Sequence, residues 1–509
     1  MIPKRRLLVN ASAGLIQVLV VGITFLIVYR FVKDELGIEL FGVWALVLAT
    51  VSVNNIANLG IASATVRFVP LYLARGMTPD AVRVIETSVI SLAVFLGVIL
   101  PIAYPLLIFV VDRVIEPHLY PIALAILPYA VGSFWLNAVS VVLQGCVDGY
   151  QRIDLRSLLV SGAALVYLPL VFWLVKSNGL VGLAQAQLAQ AALLLIATWV
   201  TLKKMEPSLP VLPYRWNYQT FKETLGYSIT FQGISVTKLL FEPVTKVLLA
   251  KFAGASTLGY FEFAHRMVFQ IRSLIVTAYQ AVVPTIADLQ ERRPDLIRDI
   301  YTESLRLLMY IVGPALGFFI LLSPLVSRLW IGTIVPDFVL FSGLVFVGWF
   351  LNVLSAPAYF SNAGTGRLRW NFLGHLLTGV INVVLGIVLG YYFGAIGVVA
   401  AFSIALVVGS FATAGPYHAE NHIPLSPFFD QPTVALLLTC AGAFVAGALA
   451  FVLFGEVALV HWAVPILFVT ASARLTWTHP QRAKLFSALR SVVLPNDHAD
   501  VNAASLDDR

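Results

Sequence analysis

The chain is divided into apolar runs of about 20 residues, and this division limits the possible folds more than any other sequence feature. Because lipid offers the backbone no hydrogen-bond partners, a membrane-spanning segment must be a helix or part of a closed barrel. The runs are continuous and lack the alternation of barrel strands, which favours helices. Only 12% of the residues are charged, fewer than a soluble chain of this length needs on its surface. The sequence therefore predicts an all-α polytopic membrane protein.

Fourteen transmembrane helices are predicted from these runs. Their approximate limits are 7–32, 39–70, 83–111, 119–147, 157–176, 179–202, 223–251, 256–286, 299–331, 336–362, 371–393, 395–417, 431–454 and 459–475. Spans 1–6 form a predicted N-terminal lobe (1–203), followed by a cytoplasmic linker (204–222) and a C-terminal lobe of spans 7–12 (223–420). Spans 13 and 14 (431–475) and a cytoplasmic tail (476–509) complete the predicted organisation.

Basic residues are distributed unevenly between the two alternating sets of loops. The loops predicted to lie outside hold only Lys33, Arg113, Lys176 and Lys251, against nineteen lysines and arginines in the opposite set. Loops rich in Lys and Arg remain in the cytoplasm, so both termini are predicted to be cytoplasmic. The net charge of +7 follows this distribution rather than one basic stripe, which argues against nucleic acid as a partner.

Weak internal similarity recurs at nearly one offset. LNAVSVVLQGCVDGYQR (136–152) matches LNVLSAPAYFSNAGTGR (351–367) at an offset of 215, and Gly182 aligns with Gly397 at the same offset. Gly42 aligns with Gly259 at an offset of 217. Each match shifts the span number by six, an even number, so the two six-span repeats are predicted to be parallel.

The stretch TKLLFEPVTK (237–246) places three charges inside predicted span 7. Lys238, Glu242 and Lys246 are four residues apart and therefore share one helix face. A charge at the centre of a membrane helix costs about 3 kcal/mol, so intramembrane charges point to a functional site.

Predicted span 8 carries a matching set in YFEFAHRMVFQIR. At about 1.5 Å per residue, Glu262 and Arg266 are expected near the depth of Lys246, and Arg272 near that of Lys238. Together, predicted spans 7 and 8 hold four cations and two anions, which are Lys238, Lys246, Arg266 and Arg272 against Glu242 and Glu262. A cavity lined by all six residues would therefore have excess positive charge and suit a diphosphate. A salt-bridge set that only locks the two helices together is the alternative.

Other polar positions are weaker candidates. Pro243 could act as a hinge or only shape packing. Arg67 lies toward the cytoplasmic end of span 2, and a deeper polar band there could bind sugar hydroxyls or hold helices together. That band consists of Asn54, Asn55 and Asn58.

Several chemistries lack support in the sequence. In HAENH (418–422), His418 and His422 lack a third metal ligand, so no metal site is predicted. Walker loops, nucleophile elbows and Asp-x-Asp pairs are absent, and the predicted outer loops are short. We therefore predict a transporter rather than an enzyme, with no catalytic residues and no cofactor. Coupling to a proton or sodium gradient stays open, with Glu242 and Glu262 as candidate residues.

Four segments resemble a known family. ELFGVWALVLATVSVNNIANLGIASATVRFV (39–69), STLGYFEFAHRM (256–267), GLVGLAQAQLAQA and GAIGVVAAFSIA are similar to bacterial polysaccharide flippases of the multidrug/oligosaccharidyl-lipid/polysaccharide exporter superfamily. The resemblance implies two six-helix lobes around a V-shaped cavity in the inner membrane. It also implies an undecaprenyl-diphosphate-linked oligosaccharide as cargo, flipped to the outer leaflet for O-antigen, capsule or exopolysaccharide assembly.

The resemblance leaves two rivals: a multidrug or organic-cation antiporter of the same fold, and a lipid II flippase. Lipid II flippases of this superfamily place arginines inside the first helix, whereas this sequence has none between Asn10 and Arg30. An organic-cation exporter would need an acidic cavity. Polysaccharide polymerase or assembly proteins are further candidate partners, and the role of spans 13 and 14 is open.

Overall fold

The computed structural model of the protein describes residues 4–52, 61–226, 240–280, 295–454 and 458–483, with the single residues 237, 286, 289, 290 and 293. The candidate residues Lys238, Asn54, Asn55 and Asn58 lie outside this part of the chain. Within it, the regular secondary structure is helical throughout, as the sequence predicts. The helices of the first half are α1 (Lys4–Leu36), α2 (Ile38–Ser52), α3 (Ile61–Ala74), α4 (Thr78–Val114), α5 (Tyr120–Gly149) and α6 (Ile153–Met205).

The second half continues the helical pattern. Its helices are α7 (Glu242–Gln280), α8 (Asp295–Ile331), α9 (Pro336–Leu354), α10 (Ala356–Gly364), α11 (Arg369–Glu420), α12 (Gln431–Phe454) and α13 (Ala458–Thr478), with a short 3-10 helix at Ser426–Phe428. Among the described residues, seven helices are long and apolar enough to cross a membrane. The protein is therefore a multi-pass membrane protein whose described regular structure is helical.

Two of the longest helices reverse direction at a glycine. At about 1.5 Å per residue, the 53 residues of α6 would extend roughly 80 Å, far more than a bilayer is thick. The backbone leaves the helical region at Gly179, with φ 58° and ψ −135°, so α6 consists of two helices. In α11, Gly394 has nearly the same conformation, with φ 57° and ψ −136°. Only glycine adopts this region readily, which explains both positions.

The positions of these glycines follow the offset found in the sequence. Gly179 and Gly394 are 215 residues apart, as are Gly182 and Gly397. A Cβ at Gly182 would overlap the carbonyl oxygen of Leu174, and a Cβ at Gly397 would overlap that of Leu389, again 215 residues later. Equivalent sequence positions therefore have equivalent close backbone contacts.

The two halves meet through α2 and α7 in a reciprocal contact. A Cβ at Gly42 would overlap the carbonyl oxygen of Ala255, and a Cβ at Gly259 would lie 2.6 Å from that of Ile38. Ile38 and Ala255 are 217 residues apart, as are Gly42 and Gly259. Each half therefore presents the same pair of positions to the other, as in a two-fold dimer interface.

The hydrophobic cores of the halves join near one end of the helices. Phe41 and Trp44 of α2 pack in one continuous cluster with Phe261 and Phe263 of α7. A second cluster, which includes Val82 and Leu143, contains residues of the first half only. A third cluster around Tyr301 contains residues of the second half only. The described apolar core thus bridges the halves near the α1–α2 turn and separates into independent cores elsewhere.

Two polar contacts reinforce the joined end. Lys33 Nζ donates a hydrogen bond to the carbonyl oxygen of Ile331 over 2.9 Å. Glu116 Oε1 accepts a hydrogen bond from the backbone N–H of Ala255 over 3.2 Å, next to Gly254, where α7 turns with φ 81°. The charge distribution predicts that this end lies outside the cell, and we call it the predicted outer end.

Candidate functional site

A buried ion-pair cluster lies inside the predicted membrane region, where the turn at Gly254 folds the two arms of α7 against each other. Lys246 Nζ lies 2.7 Å from Glu262 Oε2 and 3.0 Å from Glu242 Oε1. The Lys246 and Glu262 side chains are 9% and 3% exposed, whereas that of Glu242 is 38% exposed. The sequence prediction that Glu262 lies at the depth of Lys246 is therefore confirmed.

Tyr29 of α1 connects this cluster to the first half of the chain. Its hydroxyl donates to Glu262 Oε1 over 3.2 Å and accepts a hydrogen bond from Arg266 Nε over 3.0 Å. Tyr29 is 1% exposed, and the Arg266 guanidinium also lies 4.9 Å from the centre of the Phe25 ring. The cluster therefore links the halves, and any motion that separates α1 from α7 must break these hydrogen bonds.

His265 is a further member of the cluster. Its Nδ1 lies 3.8 Å from Glu242 Oε1, and one ligand atom from each of Glu242, Glu262 and His265 lies within 4.8 Å of the others. Without a cationic side chain nearby, such a set of ligand atoms could hold a metal ion. In this structure the Lys246 ammonium contacts both carboxylates and already supplies the positive charge.

Arg272 differs from the other charged residues of the site. Its guanidinium lies 4.3 Å from the centre of the Trp349 ring and 5.9 Å from that of Phe269. The buried Nε has no hydrogen-bond acceptor in the described part of the chain, and no carboxylate there forms an ion pair with Arg272. A desolvated cation over an aromatic face attracts anions more strongly than a paired surface arginine does.

The charge balance of the site differs from a simple count of its residues. Lys246 and Arg266 are compensated by Glu242 and Glu262, because Arg266 Nη2 also lies 3.5 Å from Glu262 Oε1. The expected excess of positive charge therefore does not come from these four residues, which form an interhelical salt-bridge set. Among the described candidates in these two predicted spans, Arg272 alone carries excess charge.

Pro243 lies at the start of a helix. It lies in the first turn of α7, after a turn at Leu240 and Phe241, and not within a continuous helix. The first turn is a position where proline fits an α-helix. The carbonyl oxygens of Leu240 and Phe241 accept hydrogen bonds from Asn382 Nδ2 over 3.2 and 3.0 Å. A side chain of α11 thus satisfies backbone groups near this helix start.

Arg67 and the histidine pair lie away from the cluster. Arg67 is exposed on α3, 5.6 Å from the centre of the neighbouring Phe68 ring. His418 Nε2 lies 2.6 Å from the Tyr301 hydroxyl, and its Nδ1 lies 3.0 Å from the carbonyl oxygen of Ile423. Both nitrogens of His418 therefore have partners within the protein.

Removal of the Tyr29 hydroxyl is expected to weaken the contact between the halves. The substitution Tyr29→Phe removes two hydrogen bonds to charged groups and should lower the free energy of unfolding by about 2 kcal/mol. Thermal unfolding in detergent would measure the change. Tyr167→Phe is the control, because Tyr167 is similarly buried and makes no hydrogen bond with the described residues. Equal effects of both substitutions would contradict the bridging role of Tyr29.

Comparison with known proteins places this arrangement in a known fold. A lipid II flippase, MurJ, in an inward closed conformation superposes with a TM-score of 0.70 at 14% identity, covering 91% of this chain and 98% of that one. A multidrug resistance MATE family transporter in an inward-facing conformation superposes with a TM-score of 0.65, also at 14% identity, covering 82% and 94%. The fold is that of membrane transporters of the multidrug/oligosaccharidyl-lipid/polysaccharide exporter superfamily.

Sequence comparison identifies the family within this class. The sequence model for polysaccharide biosynthesis proteins matches residues 36–334, and the chain belongs to this family. A Shigella flexneri protein described as "Putative O-antigen transporter" is 21% identical over 393 residues, which cover 74% of this chain and 90% of that protein. The Shigella flexneri relative and the two similar structures are described as transporters or flippases, in line with the transporter predicted from the sequence.

Proposed function

We propose that this protein flips an undecaprenyl-diphosphate-linked oligosaccharide from the cytoplasmic to the outer leaflet of the bacterial inner membrane, for surface polysaccharide assembly. The observation that carries the proposal is Arg272, a half-buried guanidinium over Trp349 with no carboxylate within ion-pair distance among the described residues. A diphosphate linker would supply the missing negative charge. Family membership and the O-antigen relative support a saccharide cargo.

The cargo would move by alternating access between two parallel six-span lobes, within fourteen spans and with both termini in the cytoplasm. The apolar cluster shared by the halves at the predicted outer end supports a state closed to the outside. The separate cores elsewhere support a V-shaped cavity that opens toward the cytoplasm. Recurrence of the same backbone conformation at Gly179 and Gly394 supports the repeat.

In this mechanism, the headgroup first meets Arg272, the cation of the site that has no ion-pair partner among the described residues. Arg272 binds a phosphate, and Arg266, whose side chain is 29% exposed, contributes a second guanidinium. Lys246 is held by two carboxylates in the state closed to the outside and becomes a phosphate ligand when the lobes rock and Tyr29 withdraws. Lys238 would extend the phosphate site. Arg67 would support it near the cytoplasmic mouth, and Asn54, Asn55 and Asn58 would bind sugar hydroxyls.

Ion coupling would use the same carboxylates. If phosphates draw Lys246 and Arg266 away, Glu242 and Glu262 lose their counter-charges and can take up a proton or a sodium ion. Return of the ammonium would release that ion.

The described cluster has no net negative charge, in contrast to the acidic cavity expected for an organic-cation exporter.

The substitution Arg272→Gln is expected to reduce surface polysaccharide at least tenfold in a deletion strain complemented at normal expression. The reason is that Arg272, among the described cations of the site, has no ion pair with a carboxylate, so it should contribute most to binding of an anionic headgroup. Arg113→Gln is the matched control, because Arg113 also stacks on an aromatic ring, 5.4 Å from the centre of Phe109, but is exposed at the end of α4.

Lipid analysis of the same strains tests the substrate. We expect an undecaprenyl-diphosphate-linked oligosaccharide to accumulate on the inner leaflet in the deletion and Arg272→Gln strains. Normal surface polysaccharide with Arg272→Gln would remove this residue from the mechanism. Accumulation of lipid II instead of a surface-polysaccharide precursor would overturn the proposed cargo.

A further inference from the structure

A polar cavity lies away from the buried ion-pair cluster, at the end of the bundle where α4 begins and α6 ends. It has a volume of about 440 Å³ and lies between the first turns of α4 and the segment that follows α6. Its lining includes Thr78, Arg83, Glu86, Glu206, Arg215 and Trp216. Two guanidinium and two carboxylate groups thus line one small space.

The segment that follows α6 is fixed across α4 by specific hydrogen bonds. Glu86 Oε1 accepts the backbone N–H groups of Tyr214 and Arg215 over 3.2 and 3.3 Å. Trp216 Nε1 donates to Ser91 Oγ over 2.9 Å. Side chains of α4 therefore fix the position of the segment that forms the opposite wall of the cavity.

Glu86 is the unusual group of this cavity. The residue is 0% exposed, and its Oε2 atom is buried without a hydrogen-bond donor in the described part of the protein. Its neighbour Glu206 is satisfied, because its oxygens accept hydrogen bonds from Ser208 and Tyr150. A buried carboxylate oxygen without a donor is costly, so the geometry calls for a donor, preferably a cationic one, from a ligand.

The remaining lining suits a phosphate. Arg83 uses Nη1 on Asp80 and its side chain is 48% exposed, which leaves its other donors available. Arg215 is exposed: its guanidinium donates hydrogen bonds to the Tyr214 hydroxyl, lies 5.0 Å from the centre of the Tyr214 ring and is near enough to Glu86 to attract it electrostatically, yet it forms no ion pair with a carboxylate among the described residues. The N-terminus of the 37-residue α4, which has no side-chain cap, adds a partial positive charge.

We propose that this cavity binds the headgroup of an amine-bearing phospholipid, with the ammonium donating to Glu86 Oε2 and the phosphate between Arg83 and Arg215. A lipid is favoured over a soluble ligand because Val211 and Leu212, in the same segment, are 74% and 73% exposed. Trp216 is also exposed, and amphipathic aromatic residues at the ends of apolar helices lie at the membrane surface.

The test uses the purified, delipidated full-length protein with phosphatidylethanolamine, phosphatidylcholine and phosphatidylglycerol of identical acyl chains, and native mass spectrometry as the readout. We expect phosphatidylethanolamine to bind about tenfold more tightly than the other two, because a primary ammonium donates hydrogen bonds and a quaternary one does not. Glu86→Gln should abolish this preference. Glu223→Gln, which changes an exposed glutamate outside the cavity lining, should leave it unchanged.

Arg83→Gln provides an independent variant that does not alter a buried group. It should weaken binding of all three lipids several-fold while the order of affinities stays the same. Equal affinity of the unmodified protein for the three lipids, or an unchanged preference in folded Glu86→Gln, would overturn the proposal. Free phosphoethanolamine carries the same ammonium and phosphate groups without acyl chains. If it binds as tightly as the lipid, the ligand of the cavity is a soluble zwitterion and the lipid assignment is overturned.

Discussion

The substitution Lys246→Met is expected to lower the free energy of unfolding by about 3–5 kcal/mol and to abolish export of surface polysaccharide. Lys246 neutralises Glu242 and Glu262 at 3.0 and 2.7 Å, in a site where its own side chain is only 9% exposed. Removal of one partner of a buried ion pair leaves an uncompensated charge, and this desolvated charge is the source of the loss. Thermal or denaturant unfolding in a defined detergent would measure it.

A second substitution separates stability from transport. In Lys246→Met with Glu262→Gln, one negative charge is removed together with the ammonium, so most of the lost stability should return. Export should remain absent, because the proposed mechanism needs the ammonium as a phosphate ligand in a later state. Lys251→Met is the control, because Lys251 lies in the same arm of α7 but is exposed.

Two outcomes would change this interpretation. Recovery of both stability and export in the double variant would show that Lys246 only locks the helices. A loss of less than about 1 kcal/mol for Lys246→Met, as for an exposed ion pair, would mean that water reaches the cluster in the ground state.

The local part of the candidate site could be predicted from the sequence. Spacing of four residues places Glu242 and Lys246 on one face, and the rise per residue brings Glu262 to the same depth. These contacts depend on two antiparallel arms separated by a short turn, so they follow from local geometry. His265 is three residues from Glu262 and lies in the same quoted stretch, so helical spacing would also have identified it.

The long-range part of the site could not be predicted in this way. Tyr29 is 233 residues from Glu262, and Trp349, which stacks on Arg272, lies on α9. Nothing in the local pattern of α1 distinguishes Tyr29 from an ordinary aromatic residue near a helix end. The cations of the buried ion-pair cluster are paired with carboxylates because the arms of α7 fold against each other and α1 packs beside them. A count of charged residues contains no information on this packing, so it does not reveal the small net charge of the cluster.

The same distinction applies to the fold. Breaks expected near residues 177–178 and 394 correspond to the reversals at Gly179 and Gly394, because apolar run length sets where a membrane chain must turn. At Pro243 the chain turns directly before the residue and α7 begins at Glu242, so the role of Pro243 as a hinge stays a prediction. A proline alone does not reveal whether a helix continues through it or starts at it.

The substitution Gly42→Leu is expected to prevent closure at the predicted outer end and to abolish export. Any Cβ at Gly42 would overlap the carbonyl oxygen of Ala255, which belongs to the backbone at the start of the second arm of α7 and cannot move aside alone. Overpacking of this kind costs about 1–3 kcal/mol, all of it in the state in which α2 contacts α7. A conformation with the halves apart at this end relieves the overlap, so its population should rise.

The change can be measured as a distance between spin labels at Glu35 and Lys251, which are exposed at the predicted outer end on α1 and α7. Gly42→Leu should shift the distribution to longer distances. Gly162→Leu is the matched control, because a Cβ at Gly162 meets nothing within 4 Å. An unchanged distribution with Gly42→Leu, together with normal export, would mean that the reciprocal contact of Gly42 and Gly259 is not the surface on which the halves close. Gly259→Leu should give the same result as Gly42→Leu, because the two glycines occupy equivalent positions in the two halves.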